Sequence, residues 1–289
     1  MNIFSAEALW VWLVLLYGLL RGTRDIIKKK ALQISTTMEV LFFYTFLSFL
    51  MVSYEGKSAL NMEMSYLWLV AIKSLMVFTA WLCSFSAIKK LPVSFYGVIE
   101  LSSVVFATLM GVCCLGENMT IFRTIGMLVV MAGLFLVNRK KDVANSENRI
   151  TFKYTALALL SCLFNSISGV MDKVLMQHME SGQLQFWFML IMTVMYLGFL
   201  VVSRTKIKIS CLWKNPWIII LSVLFVIGDR ALFYANSMAA SQVTIMTLLK
   251  RSSCFVTILG GAIFFKEKNI AYRFCCGLIV LAGIVIGMM

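Results

Sequence analysis

Six ionisable residues fall well inside long apolar stretches: Lys73, Glu100, Asp229, Arg230, Lys250 and Arg251. A charge in such a place is costly, faces a cavity or a partner rather than lipid, and marks a site by default. The neighbours at helical spacing are small or hydroxylated. Gly97, Ser103, Ala107 and Gly111 flank Glu100, while Thr247, Ser253, Cys254, Thr257 and Gly261 flank Lys250. Thr244 and Thr247 adjoin Arg251, Asp229 lies a heptad from Ser222 and Asn236, and Arg230 shares a face with Tyr234 and Ser237. A lipid-facing surface would be uniformly Leu, Ile, Val and Phe, so these stripes read as the lining of a polar cavity.

The charges do not balance. Four cations stand against two anions, and Lys73, seven residues into its stretch, can snorkel toward headgroups. That leaves one excess cation, assigned to the Lys250–Arg251 pair. Internal salt bridges, such as Glu100 with Arg230 and Asp229 with Lys250 or Arg251, are the purely structural alternative. An unpaired buried charge is strongly destabilising, and an anionic ligand would remove that cost. Arginine offers a bidentate fork to phosphate or carboxylate and lysine adds a point charge. The candidate substrate-binding set is therefore Lys250, Arg251, Glu100, Asp229, Arg230, Thr247, Asn165 and Tyr234. In it, Lys250 and Arg251 hold an anion, and Glu100 and Asp229 orient them or carry a proton. Asn165, with Ser166 and Ser168, supplies neutral hydrogen bonds.

Other polar residues read as structural. Glu117 and Glu267 are expected to cap helix ends or to pair with Arg123 and Arg273, and His178 to lie in a loop without a partner. The 8 cysteines are scattered through apolar stretches without a CxxC and read as packing residues. There is no HExxH, Asp-rich motif, Ser/His pair or metal-ligand cluster, so no catalytic residue, metal or cofactor is expected, and an enzyme acting on lipid is disfavoured.

The elements that must position these residues follow from composition. Of 289 residues 61% are hydrophobic and 13% charged, against about 25% charged in soluble domains. A bilayer as outer solvent resolves the shortage. Spanning helices of about 20 residues are predicted at 6–22, 35–53, 66–88, 91–115, 121–138, 152–176, 184–203, 216–239, 241–265 and 270–288, with Pro92 and Pro216 at helix starts and no cleavable signal peptide. The fold expected is an all-α integral membrane protein: ten transmembrane helices as two inverted five-helix repeats around a central cavity. Residues 1–138 form the first repeat, 139–151 a basic polar linker and 152–289 the second.

Internal duplication carries that division. Shifted by 150 positions, Leu91–Arg139 aligns on Ser241–Met289 without a gap. The identities include Ser102/Ser252, Ser103/Ser253, Gly111/Gly261, Glu117/Glu267, Arg123/Arg273 and Gly133/Gly283. Glu100 and Lys250 are equivalent under the shift. Five helices per repeat force the second copy to enter the membrane from the opposite face, the architecture of secondary transporters with a midplane site. Lysine and arginine concentrate in the odd-numbered loops, which places those loops in the cytoplasm and both termini outside. The membrane is read as the cytoplasmic membrane of a bacterium. The net charge of +13 then meets anionic headgroups rather than nucleic acid. Gly18/Gly22 and Gly283/Gly287 are small-xxx-small motifs that fit contacts within a monomer or between two.

Ser241–Met289 and its echo at Leu91–Arg139 resemble the paired repeat of the drug/metabolite transporter superfamily, EamA-like branch. The matching pieces are IFFKEK (Ile263–Lys268) and the LAG of the last helix (Leu281–Gly283). Lys250–Arg251 departs from common EamA-like members and resembles the KR pair of the triose-phosphate and nucleotide-sugar transporter branch, which the resemblance assigns to substrate phosphate. It implies a ten-helix fold with a central cavity and alternating access. The function expected is secondary transport of a small polar, anionic metabolite. The alternatives are an EamA-like exporter of amino acids or other zwitterions and, less favoured, a lipid flippase.

Overall fold

The computed structural model describes residues 9–61, 63–115, 119–139, 148–176, 178–205, 207–237 and 249–287. It is helical throughout, with no strand among the described residues. The helices that matter are α1 (Leu9–Ile34), α2 (Thr37–Val52), α3 (Leu67–Lys90), α4 (Val93–Glu100), α5 (Ser103–Leu115), α6 (Ile121–Arg139), α7 (Asn148–Leu175), α8 (Ser181–Val202), α9 (Trp217–Ser237), α10 (Ser253–Phe265) and α11 (Ile270–Ile286). Five described stretches are long and apolar enough to cross a membrane: Thr37–Ala59, Met64–Lys90, Val93–Met110, Phe152–Asp172 and Ser181–Val202. Ile121–Val137 and Ile270–Ile286 are shorter apolar helices. Most of the linker expected at 139–151 lies outside the described residues.

Helix starts follow local chemistry. At α2 the Thr36 hydroxyl accepts from the Glu39 N–H while the Glu39 carboxylate accepts from the Thr36 N–H, a capping box that satisfies two orphan donors. Pro92 precedes α4 and Pro216 precedes α9, where the missing N–H costs nothing.

Two departures from the sequence expectation shape the site. First, α1 does not end at residue 22. It runs 26 residues to Ile34, about 39 Å at 1.5 Å per residue, and carries Arg21, Arg24, Asp25, Lys28, Lys29 and Lys30 on a helix. Arg24, Lys28, Lys29 and Lys30, beyond the end predicted at residue 22, are therefore helical. Second, the stretch predicted as one span at 91–115 is broken. After Glu100, the Leu101, Ser102 and Val104 N–H groups bond three residues back, to Val98, Ile99 and Leu101. The same break recurs 150 residues on, where Ser252 N–H bonds to Leu249 O and Phe255 N–H to Ser252 O. Interrupted helices at corresponding positions of two repeats mark a transporter's binding region.

The heaviest packing comes in pairs that exchange under the repeat. α1 lies on α9 as α7 lies on α3, α1 on α10 as α7 on α5, and α2 on α8 and α6 on α11 pair with their own counterparts, while α4 lies on α10. The first helix of each half thus packs chiefly on the other half.

Both small-xxx-small motifs are used inside the chain. A methyl at Gly18 would fall 2.6 Å from Ser252 Oγ, and one at Gly22 would fall 2.5 Å from Val256 Cβ and 2.7 Å from Ser253 O. Gly283 and Gly287 meet Gly126 in the same way. Close approach at Gly22 holds α1 against the break before α10. Alanine is intrinsically the better helix former by about 1 kcal/mol, yet Gly22→Ala is expected to lower the melting temperature in detergent, because the added carbon collides with backbone and overpacking costs about 1–3 kcal/mol. An unchanged or raised melting temperature would show that α1 does not lie this close.

Candidate functional site

The charged stripe of α1 builds the centre of the molecule. Tyr17, Arg21, Arg24, Asp25 and Lys28 recur at helical spacing, and partners come from three other helices, α3, α4 and α9. Arg21 Nη2 donates to Glu100 Oε1 at 2.7 Å and its Nη1 approaches the Tyr17 hydroxyl at 3.4 Å. Arg24 lies 3.5 Å from Asp229 and over the Phe225 ring. Lys28 pairs with Asp25 at 2.8 Å and faces the Phe85 and Tyr96 rings. These are not the pairs expected from the sequence. Glu100 is taken by Arg21 rather than Arg230, and Asp229 by Arg24 rather than Lys250 or Arg251. Arg230 turns instead to Glu55, 2.5 Å away, and the Tyr54 ring.

Arg251 stands on the second break and reaches across to the first. Its Nη1 donates to Ser103 Oγ at 2.8 Å, and that hydroxyl donates to the Glu100 carbonyl at 2.6 Å. Its Nε is buried with no hydrogen-bond partner among the described residues, and no carboxylate lies within salt-bridge distance of it there. Arg21 and Arg24 therefore take Glu100 and Asp229, and Arg251 meets neither carboxylate within ion-pair distance. Lys250 is half-buried on the turn before the break. Thr247 lies outside the described residues. Asn165 donates to Ser161 Oγ along its own helix at 3.3 Å, whereas its neighbour Ser166 donates to the Ser103 carbonyl at the first break. Tyr234 is largely exposed.

Beside this cluster is a cavity of about 160 Å³ lined by Tyr17, Lys73, Asp172, Leu184, Gln185, Phe188, Asp229 and Leu232. It lies between helices of both halves. Lys73 does not snorkel. It is buried, with Nζ 3.0 Å from Asp172 Oδ1 and 3.8 Å from the centre of the Phe188 ring. The contact with Asp172 is close without being aligned as a hydrogen bond. Lys73, Asp172 and Gln185 all sit near one end of their helices, so the cavity is displaced toward that end.

The other end is tied together by a polar cluster. Glu267, after α10, accepts from the Val93 N–H at 2.5 Å, from the Ser94 N–H at 3.0 Å and from the Ser94 hydroxyl. Arg273 lies 3.0 Å from the same carboxylate and also donates to Ser94 Oγ. Lys29 Nζ is 4.0 Å from it and donates to the Leu91 carbonyl. The second half's carboxylate thus caps a first-half helix, and both roles expected for Glu267, cap and partner of Arg273, are filled at once.

Sequence reasoning missed Tyr17, Arg21, Arg24, Asp172 and Gln185. Arg24 carried a signal, the continuation of helical periodicity past Gly22, and Arg21 another, a cation inside the span predicted at 6–22. His178, expected to be alone, stacks on Tyr66 with ring centres 4.4 Å apart. No group of three or more potential metal ligands occurs among the described residues.

Apolar helices, an internal repeat and a charged interior beside a cavity define a polytopic membrane protein of the kind that moves small molecules. The EamA-like transporter family matches residues 8–139 and again 153–289, and the chain belongs to that family, within the drug/metabolite transporter superfamily. No curated protein sequence matches it. Among solved structures, a crystal structure of a protein 16% identical in sequence superposes with a TM-score of 0.58, covering 93% of this chain and 95% of its own, a likeness of fold.

Proposed function

We propose that the chain is a secondary transporter of a small polar metabolite bearing a phosphate or carboxylate, carried by alternating access between ten helices arranged as two inverted repeats. The observation that carries this is Arg251. It is a guanidinium at the break of one repeat, joined through Ser103 to the break of the other, with a buried Nε unpartnered among the described residues. An anion entering from the cavity would supply the missing negative charge through charge-assisted hydrogen bonds. The likeness of Lys250–Arg251 to the phosphate-binding pair of the triose-phosphate branch points the same way. Glu100 and Asp229 hold Arg21 and Arg24 in place until the anion arrives. A cavity toward one end, with the Glu267 cluster closing the other, is the asymmetry that alternating access requires.

The closed end also gathers Lys29, Lys30, Lys89, Lys90, Lys266 and Lys268. We place it in the cytoplasm of a bacterial cell, against anionic headgroups, so the cavity faces outward. A second reading, export of a zwitterion, rests on Asp172 and Asp229 in the cavity wall, where an ammonium group would find a carboxylate.

The test is thermal unfolding of detergent-purified protein with phosphorylated metabolites, nucleotide sugars, dicarboxylates and amino acids, alongside Lys250→Ala and Arg251→Ala. A ligand at a hundred times its Kd stabilises by about 2.7 kcal/mol. A phosphorylated or carboxylated compound is expected to raise the wild-type melting temperature and to lose that effect in Arg251→Ala. Stabilisation by zwitterions that both variants retain would transfer the conclusion to the exporter.

A further inference from the structure

Gln185 lies on α8 one turn from Phe188, in the wall of the cavity, and is only 3% exposed. Both ends of its side-chain amide, Oε1 and Nε2, are buried without a hydrogen-bond partner among the described residues. The assignment of oxygen and nitrogen within an amide is a matter of network, but here either assignment leaves a donor and an acceptor unused. Leaving both unmade is costly, and buried polar groups of native proteins are otherwise paired almost without exception. The charged groups of the wall are taken up in ion pairs, Lys73 with Asp172 and Asp229 with Arg24, and none of them hydrogen-bonds Gln185. What satisfies both ends of an amide at once is a second planar group with an acceptor and a donor side by side.

We propose that Gln185 is a specificity-determining residue, and that the transported molecule carries a carboxamide, ureide or pyrimidine-type edge in addition to its anionic group. A site built to hydrogen-bond such a group rejects the analogue lacking it strongly, because the buried partner is then left unpaired. The inference rests on the anion reading above for the other end of the molecule. It makes Gln185 the discriminator and Arg251 the anchor.

Two isosteric pairs of probes separate the roles. Succinamate and 4-oxopentanoate are carboxylates that differ only in an amide NH2 against a methyl. 2-Amino-2-oxoethyl phosphate and 2-oxopropyl phosphate differ in the same way on a phosphate. Each is added to wild type, Gln185→Leu, Gln185→Met and Arg251→Ala, and the melting temperature is followed. The amide member of at least one pair is expected to stabilise wild type several degrees more than its ketone. Gln185→Leu and Gln185→Met should erase that difference while keeping the ketone's smaller shift, and Arg251→Ala should erase both. Without ligand, both Gln185 variants should melt at or above the wild-type temperature, since an amide with no partner is replaced by an apolar chain of similar size.

Equal shifts within each pair in wild type, or a difference that survives in both Gln185 variants, overturn the role of Gln185 and leave the anion site standing. Ligand-free Gln185 variants that melt lower, or do not fold, give the amide a structural partner and overturn it as well. An amide shift lost in the Gln185 variants but retained in Arg251→Ala keeps the discriminator and removes the anion site. No shift with any of the four probes counts against both.

Discussion

Glu100→Gln is expected to lower stability by about 3–5 kcal/mol, the cost of leaving a buried charge without its counter-ion, and to tighten the binding of anions. Glu100 is the carboxylate that Arg21 grips at 2.7 Å, and Arg251 stands next to it through Ser103. Neutralising it leaves Arg21 and Arg251 adjacent with no negative charge between them, so an added phosphate or dicarboxylate takes its place. The melting temperature of Glu100→Gln should fall in a non-coordinating buffer and recover with phosphate more steeply than that of wild type. A released anion would now re-expose two charges rather than one, so transport across proteoliposomes should slow while binding strengthens. Arg21→Leu combined with Glu100→Gln removes both partners and should recover most of the lost stability, as a double-mutant cycle would show. A single variant as stable as wild type would mean that the pair does not exist.

The second large effect belongs to Glu267. Its carboxylate takes two backbone N–H groups at the start of α4, the Ser94 hydroxyl and the Arg273 guanidinium, which is 5% exposed. Glu267→Ala strands all of them and is expected to cost about 3–5 kcal/mol. Glu267→Gln keeps an acceptor for the N–H groups and loses only the charge, and should fall between. If the cluster closes the end opposite the cavity, as proposed, its loss has a signature beyond stability. In a Ser94→Cys background, Glu267→Gln should speed labelling by a membrane-impermeant maleimide applied from the side on which the cluster lies. Unchanged labelling with lowered stability would make the cluster a strut and not a closure.

Much of this was legible from spacing alone. The offset of 150 aligned Ser102–Ser103 with Ser252–Ser253, and those are the residues at the two helix breaks. Glu267 and Arg273 were paired from their place in the same register. What spacing could not give is which charge meets which. Arg21 finds Glu100 79 positions away, and Arg24 finds Asp229 on a helix of the other half. The run Lys28–Lys30 reads locally as the end of a span, because three successive cations suit a headgroup layer. The helix nevertheless runs on through it to Ile34, and aromatic rings meet all three ammonium groups: Phe85 and Tyr96 for Lys28, Phe265 for Lys29, and Trp217 and Phe264 for Lys30. Gln185 gave no signal at all, since an isolated glutamine near a helix start is ordinary until its surroundings are known.

The exchange of first helices between the halves bears on how the protein is made. Arg24, Lys73 and Glu55 are synthesised early, and their partners Asp229, Asp172 and Arg230 arrive only with the second half. A ribosome midway through the message has therefore delivered to the membrane a bundle with unmatched charges and with α1 lacking the surface it rests on. Each of those charges waits for the second half before it meets the partner it holds in the finished fold, so a chain cut at the linker would leave all three unmatched.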